Sequence, residues 1–245
     1  MREDMKIICG SAGRLLGREV ARLLDQTPAA CVVERFSDGE VNVRLEEPVR
    51  GREIYIVQST CPPVDKHLVE LLVVADACRR ASASKVIAVV PYFGYGRADK
   101  RSGRRTPITG RMVAALMETV GINHLLTLDL HSPQMEGFFQ IPVETVTAVP
   151  ALCHVLQESV KGETVVVSPD EGRVKMAAEY ANGSKKGEES PSAGKPRRRC
   201  GRKVVLMKDT IKWLGVVSSR GIPESVRIRS QPCPGWRKEN HERCK

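Results

Sequence analysis

Three apolar, strand-like segments begin at Lys85, His124 and Glu163, 39 residues apart, and each runs directly into a polar loop: PYFGYGRADKR, DLHSPQMEGFF and SPDEGR. In an open parallel sheet the chemistry gathers at the carboxyl ends of the strands, where successive loops converge on one crevice. The spacing therefore makes Arg97, Asp99, His131 and Asp170 expected neighbours in space.

The rest of the chain up to Asn182 follows the same alternation of strand and helix patterns. KIICG (Lys6 to Gly10) reads as a strand, and an amphipathic helix is expected from about Gly13 to Leu24, with Leu15, Leu16, Val20, Leu23 and Leu24 on one side. CVVERF and EIYIVQS read as strands. From Val64 to Arg80, Leu68, Leu71, Leu72, Ala75 and Cys78 recur at helical spacing behind Pro62 and Pro63. Pro107 is expected to open a helix carrying Met112, Val113, Leu116 and Met117 that stops at Gly121. ETVVVSPD and EGRVKMAAEYAN repeat the theme, the latter as a helix with an acidic first turn. Inner strands as continuously apolar as VIAVV and LLTL indicate an α/β domain with a mostly parallel sheet covered by helices.

Composition separates a folding segment from a tail. The net charge of +10 suggests nucleic acid, yet residues 1–182 hold 22 Lys and Arg against 23 Asp and Glu, leaving 17 against 6 beyond them. GSKKGEESPSAGKPRRRCGRK (Gly183 to Lys203) has no large apolar side chain, so it buries too little to offset its chain entropy. After it, KVVLMKDTIKWLGVV is readable as a strand or a short helix. A basic run without aromatic interleaving ranks nucleic-acid binding last among the candidate functions. The sequence has no stretch of roughly 18 apolar residues and no signal-peptide pattern at MREDMKIICG, giving the expectation of a cytoplasmic protein without a membrane partner. Its eight cysteines stand singly with no CxxC pair, and read as buried or idle thiols.

Four motifs carry potential chemistry. FSDGE (Phe36 to Glu40) lies between two strand patterns; Asp-Gly marks a hairpin turn, and such a turn can still present Asp38 and Glu40 to a ligand. PYFGYGRADKR offers glycines for close backbone approach, aromatic rings for a base or for packing beneath the loop, and Arg97, Lys100 and Arg101 for phosphates. DLHS supplies His131, a usable ligand for a divalent ion or a hydrogen-bonded side chain, and SPDEG supplies Asp170, a carboxylate suited to Mg²⁺. Together they suggest a cleft for phosphoryl transfer, which needs alignment, Mg²⁺ and positive charge around the phosphates. There is no GxxxxGK[ST] loop and no kinase HRD signature.

Four long segments in order, FSDGEVNVRLEEPVRGREIYIVQST, VVPYFGYGRADKR, DLHSPQMEGFFQIPV and VVSPDEGRVKMAAEYAN, resemble ribose-phosphate pyrophosphokinase, and the resemblance covers residues 5–182. It implies a phosphoribosyltransferase-like parallel sheet flanked by helices, with a complete N-terminal domain over residues 1–148, the start of a truncated second domain over 149–182, and a divergent, poorly ordered tail over 183–245. It also implies a homo-oligomer with ATP sites assembled between subunits, and transfer of the diphosphoryl group of ATP to C1 of ribose 5-phosphate. By position, Phe36, Asp38, Gly39 and Glu40 would hold the adenine end of ATP, Arg97 and Asp99 would serve ATP as well, and His131 and Asp170 would bind Mg²⁺. The basic stretch from Ser102 to Arg111 falls where family members bind phosphate or nucleotide effectors. The resemblance identifies no catalytic residue here, because the family's Thr-Gly-Gly-Thr loop for ribose 5-phosphate does not occur after Asn182, and KPRRRC, with Lys195 and Arg197, lacks the strand that precedes the family's catalytic pair. The resulting expectation is a family member with weak or absent turnover, and the alternatives are a non-catalytic regulatory subunit of an intact synthetase or a decayed copy.

Overall fold

The computed structural model describes residues 4–159, 164–168, 174–183, 204–206 and 215–218. They fall into two units, Met1–Ala148 and Val149–Lys245. In chain order the first contains β1 (Met5–Cys9), α1 (Arg14–Leu23), β2 (Cys31–Arg35), β3 (Val41–Leu45), β4 (Glu53–Val57), α2 (Val64–Arg80), β5 (Lys85–Val90), α3 (Thr109–Thr119), β6 (His124–Leu128), a 3₁₀ turn (Pro133–Phe138) and β7 (Val143–Val146).

Side-chain alternation along the strands decides the layering. Ile8, Ile54, Ile56, Val86, Ala88, Val90 and Leu125 point to one face, where they meet Leu68, Leu71, Ala75 and Cys78 of α2 and Val113 and Met117 of α3. The intervening residues Ile7, Cys9, Tyr55, Val57 and Val89 point the other way, toward Val20 and Ala21 of α1. The sheet between these layers runs β1-β4-β5-β6-β7 and is parallel throughout. Its strand order therefore never reverses.

Two elements differ from the sequence expectation for physical reasons. The leucine stripe of α1 faces outward, with Leu15 at 86% and Leu23 at 68% exposure, while Gly17 and Ala21 are buried. Small residues seat this helix because a Cβ on Gly17 would fall 2.5 Å from Cys9 Sγ. Helix α3 begins at Thr109, two residues beyond Pro107, and its end matches expectation: Gly121 takes φ +100, where a side chain would be strained, and Gly121 and Ile122 donate N–H groups to Glu118 O and Met117 O at 3.0 and 3.1 Å.

Strands β2 and β3 form an antiparallel hairpin that pairs with no strand of the main sheet. Cys31, Val33, Val43 and Leu45 face the core beside α2, so the hairpin is held by packing. The second unit contains α4 (Val149–Ser159), β8 (Thr164–Ser168), α5 (Val174–Gly183), β9 (Val204–Leu206) and β10 (Gly215–Ser218). Strand β8 pairs with β9 in parallel and with β10 in antiparallel, and Val149, Cys153, Val166, Ala177, Tyr180 and Ala181 form the local core. The third segment of the 39-residue series is thus in a different sheet from the first two. Next to β6 lies β7, a four-residue edge strand whose sequence, VETV, gives little signal.

Burial pushes the Cys78 thiol up to about 12; the Cys31 thiol rises to about 11 through burial, with the Glu70 and Glu46 carboxylates adding to it. A raised thiol pKa means less thiolate, and the thiolate is the nucleophile. Iodoacetamide at pH 8 is expected to leave Cys78 unmodified in the native protein and to modify it in urea, as read by peptide mass mapping. Native labelling of Cys78 would contradict this core.

Candidate functional site

The carboxyl ends of β5 and β6 lie side by side, with Val90 opposite Thr127 and the Thr127 hydroxyl donating to Val90 O at 2.8 Å. The loop after β5 is anchored from beneath. Phe93 is buried and meets Phe139 edge to face, with ring centroids 5.9 Å apart, so it serves the core and cannot be a base platform. Gly94 N–H donates to Thr60 Oγ1 at 2.6 Å, and a Cβ there would sit 2.8 Å from Thr60 O, which restricts the position to glycine. Tyr95 adopts φ +62, and its hydroxyl donates to Asp65 in the first turn of α2. That hydrogen bond raises the phenol above its ordinary range, with desolvation and the Asp65 charge adding to it.

Asp99 lies four residues on and accepts a hydrogen bond from Ser132 Oγ at 2.7 Å. This bond is the main reason its carboxyl titrates below the ordinary carboxylate range; His131 and Lys100 contribute charge. His131 is close to the same loop, since its Cβ lies 3.8 Å from where a Cβ on Gly96 would be. Arg97 and His131 are exposed, and neither has a hydrogen bond or ion pair with a described residue. Arg97, Asp99 and His131 thus share one rim of the sheet, an exposed guanidinium and an exposed imidazole beside a carboxylate anchored by Ser132. The rim can receive phosphate oxygens at Arg97. Among the described residues no group of three or more His, Cys, Asp or Glu side chains could hold a metal ion.

The tip of the hairpin is a tight turn. Phe36 N–H donates to Glu40 O and Gly39 N–H to Phe36 O, both at 2.9 Å, and Gly39 has φ +95. Asp38 Oδ1 accepts the Glu40 N–H at 3.0 Å, an Asx-type closure that leaves its other oxygen outward. Phe36 is 57% exposed, so its ring is open to solvent. No hydrogen bond or ion pair among the described residues joins this tip to Arg97 or His131. The hairpin tip and the loop after β5 are instead each tied to the start of α2: Arg35 donates to Gly39 O at 3.1 Å and to Lys66 O at 3.4 Å, next to the Asp65 that holds Tyr95.

The same stretch of α2 holds the loop after β1. Glu70, 2% exposed, accepts Ser11 N–H and Ser11 Oγ–H at 2.7 Å each, and Arg35 Nη2 stands 4.0 Å from its carboxylate. Gln58, fully buried, accepts the Ala12 N–H at 2.9 Å. Amides that in many α/β proteins cradle a phosphate are turned inward here onto a side-chain carboxylate and a side-chain amide. The Ser11 and Ala12 amides are therefore already committed to side chains of the same unit.

Asp170, Lys195 and Arg197 lie outside the described residues, as does most of the segment beyond Gly183. In the basic stretch, Arg104 and Arg105 are exposed, while Arg111 buries its Nη1 without a hydrogen-bond partner among the described residues. Sequence reasoning missed Tyr95 and Ser132 as anchors and Glu70 as a buried carboxylate. The first two stand inside the motifs and were visible as residues, but their partners Asp65 and Asp99 are 30 and 33 positions away. No helix of the described residues is long and apolar enough to cross a membrane.

Comparison with known proteins bears on this arrangement. Residues 5–121 match the family model described as the N-terminal domain of ribose phosphate pyrophosphokinase. A ribose-phosphate pyrophosphokinase of Thermosipho africanus is 43% identical over 182 residues, covering 74% of this chain and 58% of the relative. One from Gloeobacter violaceus is 38% identical over 231 residues, covering 88% of this chain and 69% of the relative. The crystal structure of phosphoribosylpyrophosphate synthetase from Mycobacterium smegmatis superposes with a TM-score of 0.74 at 32% identity, over 88% of this chain and 67% of that one. The chain spans a little over half the length of the first of these relatives.

Proposed function

The chain belongs to the ribose-phosphate pyrophosphokinase family, a family of transferases in nucleotide biosynthesis, and from that premise we propose that its first unit is the ATP-binding half of such an enzyme. The observation that carries this reading is the shared rim of Arg97, Asp99 and His131 on the adjacent parallel strands β5 and β6. Arg97 presents an uncommitted, permanently charged fork for phosphate oxygens. Phe36, Asp38, Gly39 and Glu40 on the hairpin would receive the adenine end, with the exposed Phe36 ring as its platform. As no hydrogen bond or ion pair among the described residues joins the hairpin tip to Arg97 or His131, a site completed by the hairpin of a second copy is compatible with the proposed homo-oligomer.

Mg²⁺ fits this rim as a partner of the nucleotide. The ion prefers to keep water and phosphate oxygens and takes only one or two protein groups, and the rim offers the exposed His131; Asp170, the other Mg²⁺ candidate of the sequence, lies outside the described residues. Bound there, Mg²⁺ would neutralise phosphate charge. The acceptor would be the C1 hydroxyl of ribose 5-phosphate. Residues 183–245 supply no Thr-Gly-Gly-Thr loop to cradle its phosphate, which supports a polypeptide that binds ATP without efficient transfer. A regulatory subunit of an intact synthetase is the second reading, favoured by that same combination and tested by co-purification with such a synthetase. Arg111, with its unpartnered buried donor, lies in the stretch proposed for a phosphate or nucleotide effector.

Calorimetric titration of the purified full chain with ATP and Mg²⁺ tests the reading. The expected result is saturable binding with a Kd no weaker than about 1 mM. At 100-fold excess over Kd, linkage stabilises the fold by about 2.7 kcal/mol, visible as a raised Tm. AMP release on adding ribose 5-phosphate is expected to stay near background. Absence of both heat and thermal shift would overturn the proposal.

A further inference from the structure

Arg97 stands midway between two side-chain anchors. Two residues before it, the Tyr95 hydroxyl donates to Asp65 on α2; two residues after it, Asp99 accepts the Ser132 hydroxyl from the loop after β6 at 2.7 Å. Between them the backbone is tightly turned: Tyr95 has φ +62, Gly96 N–H donates to Phe93 O at 3.3 Å and Ala98 N–H to Tyr95 O at 2.9 Å. Beyond Arg97 the same turn is tied to α3, because Gly110 N–H donates to Ala98 O at 3.1 Å. Arg97 itself makes no bond with any described residue, so the backbone beneath it is what sets where its side chain begins.

We infer that Tyr95 and Ser132 are positioning residues, a two-point clamp on the loop after β5 that holds Arg97 ready for the phosphates of a nucleotide. The inference rests on the ATP-binding reading and extends it to residues that touch no ligand. A left-handed tyrosine is disfavoured on its own, since a Cβ crowds the backbone there. The Asp65 bond on one side and the buried Phe93 on the other offset that cost. Ser132 acts at the opposite end, where its hydroxyl fixes the Asp99 carboxylate and with it the loop's exit. Removing either bond widens the range of positions open to Arg97, and a ligand must then restore the order at its own expense in affinity.

Two measurements on the full chain separate the clamp from the nucleotide reading. The first is hydrogen exchange without ligand over residues 94–100. Tyr95→Phe and Ser132→Ala are each expected to speed exchange at the Gly96 and Ala98 amides by about 3- to 10-fold, the value of one hydrogen bond. Strands β4 and β5 should be unaffected, and Ser132→Thr, which keeps the hydroxyl, should restore the slow rate. Asp65→Asn is the companion variant should Tyr95→Phe fold poorly. Unchanged exchange overturns the clamp whether or not ATP binds.

The second measurement is the ATP and Mg²⁺ titration. Each variant is expected to weaken binding by about 3- to 10-fold. Neither should weaken it further in an Arg97→Ala background, because the clamp acts through Arg97. Faster exchange with unaltered ATP affinity, or an equal loss without Arg97, overturns the positioning role. If the unaltered chain binds no ATP, the nucleotide reading fails and the assignment of the clamp to a nucleotide fails with it. The exchange rates then still report whether the loop is clamped.

Discussion

Replacing Glu70 with alanine is expected to cost about 3 kcal/mol of stability. The carboxylate is 2% exposed and takes both donors of Ser11 at 2.7 Å, with the Arg35 guanidinium 4.0 Å away. Alanine removes two charge-assisted hydrogen bonds from Ser11, whose N–H and hydroxyl are left to water, and removes the countercharge from Arg35. Three segments lose their common tie at once: the loop after β1, the first turns of α2 and the tip end of the hairpin at Arg35. In a domain of this size the loss lowers Tm by roughly 10 °C. Glu70→Gln is the informative partner. Its oxygen can accept the Ser11 N–H while its NH₂ donates to Ser11 Oγ, so about 1 kcal/mol is expected. Calorimetric melting of the three proteins checks the ranking, and equal Tm values for Glu70→Ala and the unaltered chain would remove Glu70 from its structural role.

Arg97→Ala should do the reverse, leaving the fold intact and removing the ligand. The side chain is exposed and makes no bond with a described residue, so a stability change within about 0.5 kcal/mol is expected. A charge-assisted contact to phosphate is worth about 2 kcal/mol, which predicts an affinity for ATP about 30-fold lower. Arg97→Lys keeps the charge and loses the planar fork, and should fall between the two. Titration of all three proteins under one salt condition decides the matter, since an unchanged Kd for Arg97→Ala would separate this residue from nucleotide binding.

Periodic burial was the most legible property of the sequence. Leu68, Leu71, Ala75 and Cys78 mark the buried face of α2 at helical spacing, and the helix runs over the predicted Val64–Arg80. The apolar runs of β5 and β6 likewise read as inner strands, because both faces are covered. The same reasoning failed on α1, whose leucines look outward. A helix that approaches the sheet closely needs glycine and alanine at the contact, and hydrophobicity does not mark that choice. Regular spacing also misled at the third segment, since equal intervals do not distinguish continuation of a sheet from the start of another.

For the candidate site, the residue types were legible and their connections were not. Asp38 and Gly39 signal a turn through local backbone preference, and the turn is there. The ties of Tyr95 to Asp65, Asp99 to Ser132 and Glu70 to Ser11 each span 30 or more residues. Such pairs become neighbours only once parallel strands are in register, so no window of sequence contains them. The aromatic content of the loop after β5 was ambiguous for a related reason: Phe93 and Tyr92 differ little in sequence context, yet one ring is 8% and the other 48% exposed.

The hairpin's independence from the main sheet makes it interchangeable. Its two strands pair only with each other, and its attachment comes from four inward side chains, Cys31, Val33, Val43 and Leu45, with Arg35 reaching α2. A segment of equal length that keeps those inward positions and Arg35 can be grafted in without disturbing any register of the five-stranded sheet. What the tip presents is thereby uncoupled from what holds the fold together. If the tip receives the base of a nucleotide as proposed, selectivity for that base can drift, or be redesigned, on a structural cassette of fifteen positions, residues 31–45, while the loops after β5 and β6 stay unaltered.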